Sequence, residues 1–177
     1  MIARLEYAKA LFMLAEEEGA CDATLSDLRT AVGAVKENES YLELLDTPAL
    51  PKEEKLRLVD EAFASLGEPT LNLIKILCEK RSSRLLPDIL KEFEALYDER
   101  FGILRVEAIS ARKMTESQIA LLKEKLEKEK QKTVIITNTV SPEILGGLKL
   151  RYSGIQLDGS LKTRLDKIED SLKNVIV

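Results

Sequence analysis

SPEILGGLKLRYSGIQLDGS, residues 141 to 160, is the stretch on which the fold turns. Gly146 and Gly147 are adjacent within an apolar run, where glycine weakens a strand unless another backbone approaches closely or the strand must bend. Leu148 and Leu150 alternate with Lys149 and Arg151, the period of a half-buried strand. Ser153-Gly154 then turns the chain into a short strand, Ile155 to Leu157. Asp158-Gly159-Ser160 supplies a second turn and a helix N-cap directly before Leu161. The stretch is architecture that leads a sheet into a helix, and it holds no set of residues that makes an active site.

Working outward, Thr133 to Val140 reads as another strand. Thr115 is a capping candidate for a Lys/Glu-rich helix, residues 116–130, whose apolar stripe is Ile119, Leu122 and Leu126. Before it, Leu104, Val106 and Ala108 alternate with Arg105 and Glu107. After the quoted stretch, Leu161, Leu165, Ile168, Leu172 and Val175 form a narrow seam that suits either a sheet face or a coiled-coil partner. Residues 103–177 therefore predict a small α+β domain, strand–helix–strand–strand–strand–helix.

Residues 1–102 have helical periodicity throughout. The first helix, Ile2 to Glu18, stops at Gly19 in the position of a C-terminal cap. Its Leu5, Tyr7, Ala8, Ala10, Leu11, Phe12, Leu14 and Ala15 fill an arc of roughly 220°, whereas packing on a core from one side needs only about 100°. Asp22 is a capping candidate for a second helix carrying Leu25, Leu28, Val32 and Val35. A short turn around Tyr41 to Leu45 and a helix from Lys52 to Leu66 follow, closed by Gly67, with Pro69 placed for the first turn of a fifth helix. That helix, Thr70 to Arg81, has the same surplus: Leu71, Leu73, Ile74, Ile76, Leu77 and Cys78 again cover roughly 220°. A sixth helix, Pro87 to Arg100, ends at Gly102. The fold class is mainly α, a six-helix bundle followed by the small α+β domain.

The surplus on the first and fifth helices has two readings. Both can be central helices covered on all sides, or they can share an exposed groove that receives an amphipathic helix from a partner. In the second case the groove residues are Tyr7, Ala8, Leu11, Leu14, Ala15, Leu73, Ile76 and Leu77.

Composition removes most chemistry. The 177 residues include no histidine, which excludes Ser-His-Asp and Cys-His catalysis and every His-containing zinc site. Cys21 and Cys78 are isolated and read as buried or inert thiols. Glu16-Glu17-Glu18 and Glu53-Glu54 read as solvated helix ends, Asp158 and Ser160 have no base beside them, and Gly146-Gly147 lacks the flanks of a phosphate loop. No catalytic, metal or cofactor residue is expected, and the chain is read as no enzyme. The N-terminus has no signal-peptide pattern. Charge is uneven: residues 1–104 carry 13 basic and 21 acidic side chains and residues 105–177 carry 14 and 10, net −8 and +4. Two units with different partners would produce that asymmetry.

Three stretches together resemble the delta subunit of the F-type rotary ATP synthase, the oligomycin-sensitivity-conferring protein family. They are Tyr7-Ala8-Lys9-Ala10-Leu11-Phe12, the run Leu71-Asn72-Leu73 with Arg84-Leu85-Leu86-Pro87-Asp88-Ile89 and Phe93, and Pro142 through Ser160 with Gly146-Gly147, Arg151 and Asp158-Gly159-Ser160. The chain departs from the family pattern at Ser141, commonly acidic, at Leu73, often phenylalanine, and at Lys130-Gln131-Lys132, where a glycine is usual. The resemblance implies a non-catalytic stator subunit. Its domain 1–102 would bind the N-terminal helix of an alpha subunit of the catalytic head, in a groove between the first and fifth helices. Its domain 103–177 would bind the b subunits of the peripheral stalk. Gly146, Gly147, Asp158 and Ser160 would be structural. The expected setting is a hetero-oligomeric complex on the cytoplasmic face of a bacterial plasma membrane, with membrane association only through the complex. The alternative from another class is an RNA-binding or general helical adaptor, suggested by the basic C-terminal third. Against RNA, the strands offer one aromatic, Tyr152, where stacking platforms need several, and the acidic half would repel phosphate.

Overall fold

The computed structural model describes residues 2–47, 50–142, 144 and 146–159. The chain divides into two compact units, one ending at Glu99 and one beginning at Arg100. It is mainly helical, with a small four-stranded mixed sheet. Among the described residues no helix is long and apolar enough to cross a membrane.

The first unit contains α1 (Ile2–Glu17), α2 (Cys21–Glu37), α3 (Glu39–Asp46), α4 (Lys52–Ala62), α5 (Glu68–Glu79) and all but the last residue of α6 (Leu86–Arg100). Gly19 takes φ 65°, and the pair of bonds Gly19 N to Glu16 O and Ala20 N to Ala15 O closes α1 as a Schellman motif. α2 begins two residues earlier than an Asp22 cap would dictate. Asp22 lies in its first turn, caps nothing, and accepts a hydrogen bond from the Tyr97 hydroxyl. All six helices contribute to one hydrophobic core, in which Phe93 meets Phe12 edge-on at 5.4 Å between ring centroids. A single 3-10 turn, Ser83–Leu85, leads into α6; its Ser-Arg-Leu sequence has no period to betray it.

Lys55 is buried within this unit. Its ammonium donates to the Leu45 carbonyl at 2.6 Å, in the last turn of α3, where a cation meets the negative end of the helix dipole. Neither cysteine forms a disulfide and both are buried, and burial raises the Cys78 thiol's pKa, which keeps it protonated and unreactive.

In the second unit, β1 (Ile103–Ser110), α7 (Glu116–Lys130), β2 (Thr133–Val140), β3 (Leu148–Tyr152) and β4 (Ile155–Asp158) form the sheet order β2-β1-β3-β4. β1 and β2 run parallel, joined through α7, while β3 and β4 are antiparallel to their neighbours. Thr115 caps α7 in a reciprocal box with Gln118. Gln131 ends the helix at φ 52°, so the turn does need the left-handed conformation that a glycine adopts without cost. Leu104, Val106, Val134 and Tyr152 pack with Leu126 in a second, smaller core. Asn138 ties the crossover down: its amide donates to Ala108 O and Ser110 Oγ, both at 2.8 Å, and its Oδ1 accepts from Met114 N at 2.8 Å.

The quoted signature stretch partly revises the sequence reading. Gly146 and Gly147 form a bend before β3 and are not paired in a strand; Gly147 takes φ 89°. A close backbone approach is found at Gly159, where an added Cβ would sit 3.0 Å from the Leu148 carbonyl oxygen. Asp158 ends β4 and pairs with Lys149 at 2.9 Å. Ser153 and Gly154, at φ 45° and 76°, make the two-residue hairpin turn between β3 and β4. Ser160 and the expected closing helix from Leu161 lie outside the described residues.

Candidate partner-binding groove

α1 has two adjacent stripes. Ala8, Leu11, Phe12 and Ala15 are buried in the core. Tyr7, Ala10 and Leu14 lie beside them on the helix wheel and line an open groove, together with the flank of Leu11. α5 repeats the arrangement: Thr70, Leu73, Ile74 and Leu77 face the core, and Pro69, Asn72 and Ile76, with the flank of Leu73, line the groove from the other side. The lining residues recur at the same steps on both helices, 7, 10, 14 and 69, 72, 76. The groove encloses about 180 Å³.

Packing fixes the two walls. Gly67 N donates to the Asp27 carboxylate at 2.7 Å, which pins the start of α5 to α2, and any side chain at Gly67 would meet that carboxylate. Lys75 pairs with Asp60 at 2.6 Å and Lys52 with Glu79 at 3.0 Å, holding α5 to α4. Arg4 of α1 reaches Asp88 at 3.5 Å and Glu92 at 3.2 Å on α6. Each such pair is exposed enough to contribute little alone. Together they orient α1 and α5 without covering the strip between them.

Of the eight residues expected to form a groove, the structure brings Tyr7, Leu11, Leu14, Leu73 and Ile76 together. Ala8, Ala15 and Leu77 do not line it; they are 0%, 0% and 1% exposed and belong to the core. A wheel spanning both stripes cannot separate them, because neighbouring stripes are one residue apart in sequence. Ala10, Pro69 and Asn72 were missed: Asn72 reads as a polar edge and Pro69 as a helix start. The repeated 3,4 spacing on both helices is the signal that finds them.

Among the described residues no group of His, Cys, Asp and Glu could hold a metal ion. The described residues of a cleft of about 470 Å³ between Ser110, Arg112, Met114, Gln118, Gly146 and Gly147 include no convergent acid, base or nucleophile. Tyr152 is buried against the second core, so the sheet presents no aromatic platform for bases.

Residues 3–172 match the family described as the ATP synthase delta (OSCP) subunit. A protein of Clostridioides difficile named ATP synthase subunit delta is 36% identical over 96% of this chain and 95% of its own length. Proteins of the same name from Caldanaerobacter subterraneus and a Geobacillus species are 33% and 34% identical, covering 96% and 94% of this chain and the same shares of theirs. A chain in the cryo-EM structure of the Toxoplasma gondii mitochondrial ATP synthase hexamer shares the fold, with a TM-score of 0.75 and 21% identity over 97% of this chain and 98% of that one. The chain belongs to the ATP synthase delta (OSCP) subunit family.

Proposed function

We propose that this chain is a non-catalytic stator subunit of an F-type rotary ATP synthase, linking the catalytic head to the peripheral stalk so that rotation stays coupled to ATP synthesis or hydrolysis. Residues 1–102 act as a six-helix bundle that binds the amphipathic N-terminal helix of an alpha subunit in the α1–α5 groove. Residues 103–177 bind the b subunits of the stalk, with Gly146, Gly147, Asp158 and Ser160 shaping that domain. The complex lies on the cytoplasmic face of a bacterial plasma membrane, and the subunit meets the membrane only through it.

The observation that carries this reading is the apolar groove left open between α1 and α5 in a chain of this family. A stator needs two binding surfaces and a rigid body, and no reactive site. A pull-down with alpha and b subunits tests it. The whole chain retains both, and Leu14→Asp with Ile76→Asp releases alpha while keeping b. Retention of alpha by that variant contradicts the groove assignment. ATP turnover by the chain alone contradicts the non-catalytic role.

A further inference from the structure

The groove has an apolar floor and an acidic margin. On α1, Glu6 stands one turn before Ala10, and Glu17 and Glu18 stand one turn beyond Leu14; all three are exposed. On α5, Glu68 is exposed one turn before Asn72. Among the described residues, none of these four carboxylates meets a cationic partner. Apart from Lys80, the cations nearby are committed or turned away. Lys75 pairs with Asp60, and Lys52 pairs with Glu79. Lys9 is on the opposite flank of α1's buried stripe from Tyr7, because one residue is about 100° of helix. Lys80, exposed one turn beyond Ile76, is the counter-example on the α5 side.

A second observation strengthens the first. α1 has no basic residue in its last turn. Glu17 and Glu18 therefore stand at the negative end of its dipole, an arrangement that costs stability in the free chain. A cationic group arriving at this end of the groove relieves both the mutual repulsion and the dipole mismatch. The wider field has the same sign, since residues 1–104 carry a net charge of −8.

We propose that the groove selects, among amphipathic helices, one that carries Lys or Arg beside its apolar stripe, with those charges over the end of α1 that bears Glu17 and Glu18. This rests on the groove reading above and adds the chemistry of the partner's flanks. Apolar burial supplies most of the affinity, while the charges supply discrimination and speed of association. Exposed charges are screened by salt, so the preference belongs to low ionic strength.

Two synthetic helical peptides with the same leucine stripe, one flanked by lysine and one by glutamate, test this on the whole chain. Binding is measured by stopped-flow fluorescence at about 50 mM and about 500 mM salt. The lysine peptide associates roughly tenfold or more faster at low salt, and the difference collapses at high salt. The Glu17→Lys, Glu18→Lys double variant, altered only at exposed positions, loses the preference. Equal binding of both peptides at low salt, abolished for both by Ile76→Asp, overturns the charge inference and leaves the groove reading standing. Failure of both peptides to bind, or binding indifferent to Ile76→Asp, overturns the groove reading itself.

Discussion

Leu14 on α1 and Ile76 on α5 border one groove and stay 41% and 45% exposed, while their sequence neighbours Ala15 and Leu77 are closed off in the core. That juxtaposition explains why both helices are apolar over twice the arc that one-sided packing requires. One stripe of each helix holds the unit together, and the stripe beside it is left for a partner.

The two stripes separate by mutation. Ile76→Asp changes the unfolding free energy by less than about 1 kcal/mol, because the side chain already meets water. Leu77→Asp places an unpaired charge in the core, costs more than about 4 kcal/mol and abolishes cooperative folding of the first unit. Urea denaturation followed by circular dichroism distinguishes them.

Tyr41 gives the first unit an alkaline limit. Its hydroxyl donates to the Leu58 carbonyl at 3.1 Å, and burial, aided by the nearby Cys78, pushes its pKa from 10.0 up to about 12. The folded state keeps its proton where the unfolded state loses it. This contribution is therefore complete below pH 10 and lost as the pH rises from 10 towards 12. Cys78, also raised, acts in the same direction. Tyr41→Phe costs about 1 kcal/mol at neutral pH through the lost hydrogen bond. It also flattens the alkaline fall relative to the parent, as denaturation at about pH 9 and about pH 11.5 will show.

Asn138 is the clamp of the second unit. Asn138→Ala leaves Met114 N without its acceptor and costs about 1–3 kcal/mol in the stability of that unit. Hydrogen exchange then rises in β1, β2 and the loop before α7, and exchange in the core helices of the first unit is unchanged.

Gln131→Gly works in the other direction. The native residue holds φ 52°, a conformation that glycine adopts without a Cβ penalty. The substitution raises the stability of the second unit by up to about 1 kcal/mol, the gain being reduced by glycine's freedom in the unfolded chain. Thermal melts of the two chains side by side check the sign.

Much of this was legible in the sequence because period and punctuation are local properties. The switch of period at Ile103 marks the change from helix to sheet, Gly19 and Thr115 mark ends by their caps, and α7 and β2 begin and end where their patterns do. What escaped depends on partners far along the chain. The burial of Lys55 needs the Leu45 carbonyl, and Asp22 lies inside the first turn of α2 as an acceptor for Tyr97. The close approach at Gly159 is of the same kind, because only the β3–β4 pairing decides which backbone meets Leu148. The groove was legible as a surplus of apolar arc. Its membership was not, since Ala8 and Tyr7 differ by one position and only the packed neighbours decide which one meets water.

The central claim is tested most directly by titrating the ¹⁵N-labelled chain with a peptide from the N-terminus of an ATP synthase alpha subunit and following amide chemical shifts. The account predicts saturable shifts confined to α1 and α5, largest around Tyr7, Leu14, Asn72 and Ile76, with the amides of β1 to β4 unmoved. Shifts centred on the sheet, or none at saturating peptide, would contradict it.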